Sequence, residues 1–255
     1  MNIYLCIVFS ILLASLGLYK KAFTKFGLLV AFIISILICY CGSYIAFGAL
    51  VTLFIITIAT DKIGKTKKIN IEKDKHNKND KRDVFQVLAN LLVATIFIII
   101  YKLTSNNKYM VCFLVSLAES AADTSASGIG ILSKKSFNVL TFKKSEKGLS
   151  GNVSILGFVA SFIAAFIIGS IYLFKEISIY IVLVITIIGF VGALIDSILG
   201  CYQVKYKCLK CNTITEKTFH CKKQTSYYKG IKYLNNDLVN ILSNVISCII
   251  CFIIC

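Results

Sequence analysis

Two carboxylates four residues apart, Glu119 and Asp123, lie in LAESAADTSASGIG, a small and hydroxylated stretch within an apolar run. That spacing puts both on one face of a helix. A third carboxylate, Asp196, sits in GALIDSILG near the end of a later apolar run. Gln86 and Asn90 share a face at the start of one run, and Asn236, Asp237, Asn240 and Asn244 cluster at the start of another. An ionisable group inside a membrane span costs at least a few kcal/mol and marks function by default. Hydrogen-bonding glue between packed helices accounts for Ser116, Ser161 and Asn244. It accounts poorly for acids, since glue does not require carboxylates. Three acidic groups at one depth repel one another unless a cation or a bound proton lies between them. A few oxygen ligands open to water suit Mg²⁺ holding a substrate phosphate, which makes Asp123 and Asp196 the Mg²⁺ candidates.

A second constellation occupies CYQVKYKCLKCNTITEKTFHCKK, residues 201–223. Cys208-x2-Cys211 followed by His220 and Cys221 has the pattern of a small zinc hairpin. Adjacent His220 and Cys221 make awkward joint ligands, so Cys201 is an alternative fourth. The competing reading is free surface thiols in a chain with 11 cysteines, seven of them in apolar runs where Cys acts as a small hydrophobe. In KKSEKGLSGNVSILG, residues 143–157, Gly148 and Gly151 would let backbone N–H groups face a phosphate ahead of a helix N-terminus. A plain turn leading into a helix is the competing reading there. No Ser/His/Asp constellation is apparent, and His76 and His220 are the only histidines.

The elements that must position these groups are membrane helices. Hydrophobic residues make up 57% of the 255-residue chain and charged residues only 16%, against about 25% charged in a soluble domain. Disorder, a secreted disulfide scaffold and a simple soluble enzyme are excluded. The runs lack the polar–apolar alternation of barrel strands, so the fold class is all-α: a polytopic membrane protein with about eight transmembrane helices and a small Cys-rich cytoplasmic loop. The spans fall near 3–19, 26–41, 45–60, 84–101, 109–127, 153–174, 177–200 and 238–255. No signal peptide is evident in the first run.

With eight spans, 25 of the 28 basic residues lie in loops on one side, and Lys102, Lys108 and Lys175 lie on the other. Merging the runs on either side of Gly42–Ser43 would spoil that partition. The positive-inside rule then places the large loops in the cytoplasm and both termini outside, in a multi-pass cell-membrane protein. The organisation is three N-terminal spans at 1–60, a basic loop at 61–83, and a polar-site domain of five spans at 84–255 carrying the Cys-rich loop 201–233. Both Lys-rich loops should be exposed. The net charge of +16 is thus a loop property that favours an anionic partner, not a nucleic-acid footprint.

Six ordered motifs then resemble one integral membrane family: KIG at 62–64, RDVFQVLAN at 82–90, ADTSASGIG at 122–130, GLSGNVSILG at 148–157, DSILGCYQ at 196–203 and NNDLVNILS at 235–243. The family is called domain of unknown function 92 and includes plant phytyl-phosphate kinase. The resemblance covers residues from about 62 to 243. It implies a transferase that phosphorylates an isoprenoid monophosphate with a nucleotide such as CTP, at the cytoplasmic interface and with Mg²⁺. Asp123, Thr124, Ser127, Asp196 and Asn240 match the family's polar positions and are the catalytic candidates. Gln86, Asn90, Lys147, Gly148, Ser150, Gly151, Gln203 and Asn236 are the substrate-binding candidates. Three positions depart from the family pattern: Gly128 replaces a Glu, Asn152 a Gly, and Leu91 a small residue. A transporter or flippase would instead place its polar groups at the bilayer midplane on broken helices. A catalytically silent scaffold is the third reading, kept by Gly128.

Overall fold

A computed structural model describes residues 2–63, 81–145 and 148–255. Lys147 and residues 64–80 of the basic loop lie outside the described residues. Among the described residues the helices are α1 (Ile3–Tyr19), α2 (Lys25–Lys62), α3 (Val84–Thr104), α4 (Asn107–Gly130), α5 (Ile155–Ser170), α6 (Ile179–Tyr202) and α7 (Asn236–Ile254). A 3₁₀ turn, Ile171–Phe174, extends α5. Each helix opens on an Asn, Ser, Thr or Asp whose side chain accepts a hydrogen bond from a first-turn N–H. That satisfies a backbone donor that would otherwise be orphaned at each helix start. Five helices, α2, α3, α5 with its extension, α6 and α7, are long and apolar enough to cross a membrane. The chain is an all-α membrane protein with small β elements in its polar loops.

Helix α2 has 38 residues, and drawn straight it would reach about 57 Å. Yet both of its ends meet Arg82. Thr24, its N-cap, donates its N–H to the Arg82 carbonyl at 2.9 Å, and Asp61 in its last turn accepts from the Arg82 guanidinium at 3.2 Å. The helix must therefore double back, and it does so at Ser43, where φ is 60° and ψ −159°. The preceding residue must lack a side chain. A Cβ on Gly42 would stand 2.2 Å from the Ala46 Cβ and 2.6 Å from Ile98 Cδ1.

Helix α4 is the axis of the bundle, packed against α2, α3, α5, α6 and α7. Every residue from Met110 to Ala122 is buried, as expected for a helix surrounded by others. Close approach of α6 depends on small residues: a Cβ on Gly189 would meet Ala118 at 2.6 Å, and one on Gly192 would meet Glu119 Cγ at 2.6 Å. At one end of the bundle, Lys102, Lys108 and Lys175 lie over the rings of Tyr40, Phe252 and Tyr101 at 5.2, 4.2 and 4.9 Å. The other end carries Arg82, the last turns of α4 and α6, the starts of α5 and α7, and the β elements.

Strands β1 (Phe137–Asn138) and β2 (Asn152–Val153) pair antiparallel between α4 and α5. Between α6 and α7, β3 (Lys205–Lys207) is flanked by β4 (Ile214–Thr215) and β7 (Ser226–Lys229) in one antiparallel sheet. A hairpin, β5 (Phe219–His220) with β6 (Lys223–Gln224), stands beside it. The Cys-rich loop is thus a folded β module. Full exposure of this loop, expected from its lysines, is corrected: Gln203, Val204, Cys208 and Thr215 are buried, and so are the charged Lys205 and Glu216, at 5% and 7% exposure. The physical reason is that both make hydrogen bonds to the turn beneath the module.

Candidate functional site

At the end of the bundle that carries Arg82, a cavity of ≈120 Å³ opens where α4 and α6 finish and α5 begins. Asp123 and Ser127 of α4 line it, with Asp196 and Ser197 of α6 and Asn236 at the start of α7. Gly148, Ser150 and Gly151 form another wall. Seven sequence candidates, Asp123, Ser127, Asp196, Gly148, Ser150, Gly151 and Asn236, therefore share one polar chamber. Ser161, read from sequence as interhelical glue, belongs here too. Its hydroxyl is buried, lines the chamber, and has no hydrogen-bond partner among the described residues. A polar occupant would satisfy it.

The turn of the 148–151 wall needs glycine at both ends, with φ 76° at Gly148 and 86° at Gly151. Gly151 also lies directly against the end of α6, where a Cβ would stand 2.5 Å from Cys201 Sγ. The turn is not free to offer all its amides, however. Ser150 donates its N–H to Glu216 Oε1 at 2.9 Å and accepts from Lys205 Nζ at its carbonyl at 2.9 Å. The Ser150 amide is therefore bonded within the protein, and a phosphate at this wall would meet the side chain and the glycines. Burial lowers the Lys205 pKa, with the nearby Glu216 carboxylate opposing that shift.

Thr124, Gln86 and Asn90 open elsewhere. With Arg82 and Ser120 they form the polar mouth of a second cavity, of ≈90 Å³, whose deeper wall is apolar: Leu13, Phe23, Phe32, Leu50, Phe54 and Leu91. Asp123 and Thr124 are neighbours on α4, and successive helical side chains diverge by about 100°. Helix α4 thus stands between the two cavities. Asn240 bridges their polar ends. In one amide orientation its nitrogen lies 3.4 Å from Asn90 Oδ1. With amide oxygen and nitrogen exchanged, the orientation that satisfies both atoms, the nitrogen donates to Asp196 Oδ2 at 3.1 Å and to the Asn236 carbonyl at 2.8 Å. Gln203 lines neither cavity and is buried where α6 hands over to the β module.

Glu119 shares a helix face with Asp123 by its spacing, yet it does not join the chamber. It is buried between helices, about a turn from Asp123 on the core side of α4, and lines neither cavity. Its oxygens accept from Ser243 Oγ at 2.7 Å and from the Asn244 amide. Ser243 Oγ also lies 3.3 Å from Asp196 Oδ2. Ser116 meets Asn244 across the same interface. Ser243 is thus a site residue that sequence reading missed, although it sits three residues after Asn240 and seven after Asn236, on one face of α7. Glu216 and Lys205 were missed as well, and nothing local could reveal them, since their partner Ser150 is more than 50 residues away.

The cysteine constellation is assembled in the β module. The ligand atoms of Cys208, Cys211, His220 and Cys221 all lie within 4.8 Å of one another. Cys201 is elsewhere, its Sγ 3.6 Å from the Gly151 carbonyl and 3.4 Å from Asn138 Nδ2. His220 and Cys221 converge despite being adjacent because Cys221 and Lys222, at φ 53° and 61°, reverse the chain between β5 and β6. Backbone N–H groups of Cys211 and Lys210, with the His220 side chain, hold the Cys208 thiol down to about 6. Neighbouring Cys211 pushes Cys221 up to about 11.

Fold and site together define a polytopic helical membrane protein with a polar, acidic chamber at one end of its bundle. Residues 8–248 match the family described as Integral membrane protein DUF92, and the chain belongs to it. An uncharacterized membrane protein of Methanocaldococcus jannaschii is 34% identical over 171 residues, 65% of this chain and 67% of that one. Protein PGR of Arabidopsis thaliana is 28% identical over 226 residues, 77% of each chain. No solved structure is significantly similar.

Proposed function

We propose that this protein is a membrane kinase that phosphorylates an isoprenoid monophosphate with a nucleotide such as CTP at the cytoplasmic face of the cell membrane. The observation that carries the reading is the pairing of two cavities across α4: an acidic, hydroxyl-lined chamber and an apolar slot with a polar mouth at Arg82. A lipid phosphate has those two natures. Its chain fits the slot between α1, α2 and α3, and its head passes Thr124 and Asn90 and extends beyond the end of α4, past Asn240, to meet the nucleotide at Asp196. In the reaction, an oxygen of the lipid monophosphate attacks the terminal phosphorus of the nucleotide. The bond from that phosphorus to the bridging oxygen breaks, and a nucleoside diphosphate leaves with the electron pair.

Such transfer depends on positioning and charge neutralisation more than on a protein nucleophile. Asp123 and Asp196 supply the hard oxygen donors that suit Mg²⁺, which when bound would neutralise phosphate charge. Ser127 and Ser161 then offer hydroxyls to phosphate oxygens. The family Glu is absent at Gly128, so among the described residues these two acids are the ones that line the chamber. Membrane crossing in this reading is eightfold: α1, the two limbs of α2, and α3 to α7, with the Arg82 end in the cytoplasm. A transporter is less favoured because the polar groups gather at one end of the bundle, while the break in α2 lies near Tyr40 and Lys102 at the other.

The test is purified protein incubated with Mg²⁺, a panel of nucleoside triphosphates and a panel of prenyl monophosphates, with lipid diphosphate as the readout. Formation of the diphosphate is expected, and both Asp123→Asn and Asp196→Asn should abolish it while the proteins still insert in membranes. Full turnover in either variant would make that residue a packing group and remove the main support for the kinase.

A further inference from the structure

We propose that Cys208, Cys211, His220 and Cys221 bind one structural zinc ion, and that this ion stiffens the module whose Glu216 and Lys205 hold the backbone of Ser150. The distances carry the argument. Zinc–sulfur and zinc–nitrogen bonds of roughly 2.3 and 2.0 Å at tetrahedral angles put sulfurs about 3.8 Å apart and sulfur about 3.5 Å from nitrogen. Cys211 Sγ and Cys221 Sγ are 3.8 Å apart, and they lie 3.5 and 3.3 Å from His220 Nδ1. The soft donor set, three sulfurs and one imidazole, selects zinc among the common divalent ions. Four protein ligands leave no open position for chemistry, so the ion's role is structural.

The module also needs such an ion. Its strands are only two to four residues long. Between residues 205 and 229 the buried residues are Lys205, Cys208, Thr215 and Glu216, so there is no apolar core. A small unit without a core is usually stabilised by a metal or a cross-link. Moreover, Cys221 and Lys222 both hold positive φ without being glycine. Each such residue costs on the order of 1 kcal/mol and persists only where its surroundings impose it. Cys221 ligation would impose it. Glu216 directly follows β4, and Lys205 begins β3, so the ion's rigidity passes along these two strands to the glycine turn of the acidic chamber.

The inference does not depend on the proposed reaction and is tested without it. Full-length protein from zinc-supplemented cells, purified in detergent, should contain about one zinc per chain by elemental analysis. Cobalt exchanged into the site should give the intense thiolate-to-metal absorption of a tetrahedral sulfur site. Cys208→Ser combined with Cys211→Ser should lose the metal and speed proteolysis at the lysines between 205 and 229. Cys201→Ser and His220→Cys should retain it, the latter because a fourth thiolate replaces the imidazole and reports on ligation in a folded chain. A metal-free protein that takes up no added zinc would overturn the proposal. So would zinc retained by the double variant, or a disulfide joining Cys211 and Cys221.

Discussion

At the residue scale, the chain spends its intramembrane polarity on a few connected groups. Ser243 is the joint between two carboxylates: it meets Glu119 at 2.7 Å and Asp196 at 3.3 Å while fully buried. Ser243→Ala removes the one hydroxyl donor these acceptors share, which costs about 1–3 kcal/mol. A lower unfolding midpoint in detergent is the expected outcome, and an unchanged midpoint would mean the serine is not a structural link. Leu91 acts at the other cavity. It lines the apolar slot. If the protein is the prenyl-phosphate kinase proposed above, Leu91→Ala should enlarge the slot and shift preference toward longer or bulkier prenyl chains, read as the ratio of kcat/KM between two chain lengths. A ratio that does not move would place the lipid chain elsewhere.

At the element scale, the decisive feature is the reversal inside α2. Ser43 adopts φ 60° and ψ −159°, a region that essentially only glycine enters without strain. Ser43→Gly should therefore stabilise the protein by about 1 kcal/mol, and Gly42→Val should destabilise it, since its side chain would enter Ala46 and Ile98. Thermal unfolding of the two variants in one detergent checks both signs. A stabilising Gly42→Val would show that the two limbs are not packed as described. The loops obey the same logic at smaller scale. The turn 148–151 is shaped by its glycines and held by residues of the β module, so its geometry is a joint property of two loops.

At the scale of the molecule, charge and aromatic placement describe a polarised bundle. The three lysines assigned to the sparsely charged side each lie over an aromatic ring at one end, a placement worth about 0.5–1 kcal/mol per pair at exposed sites. The other 25 basic residues belong to loops at the opposite end in the eight-span reading. That reading predicts that Lys75→Cys, in a Cys255→Ser background, gains a site for a membrane-impermeant thiol reagent over the same background with Lys75 intact, and only after cells are opened. Lys108→Cys should react in intact cells. Labelling of residue 75 from outside would reverse or break the topology.

Sequence by itself determined the class of the protein, because transfer of apolar side chains from water to lipid depends on composition along the chain and on nothing distant. It also marked the Gly42–Ser43 reversal through charge, since a doubled-back α2 brings the basic residues before Lys25 and those at Lys62 and Arg82 to one end. Asp123 and Asp196 were legible for the same reason: a carboxylate is conspicuous in an apolar run. Tertiary structure decided which polar residues meet. Helical phase sent Thr124 to a different cavity from Asp123, and interhelical packing withdrew Glu119 into a hydrogen-bonded interface. Two consecutive left-handed residues let His220 and Cys221 converge, where adjacency in the chain had argued for Cys201. Glu216 and Lys205 reach Ser150 across more than 50 residues, a contact that no local pattern encodes because it exists only once two loops have folded against each other.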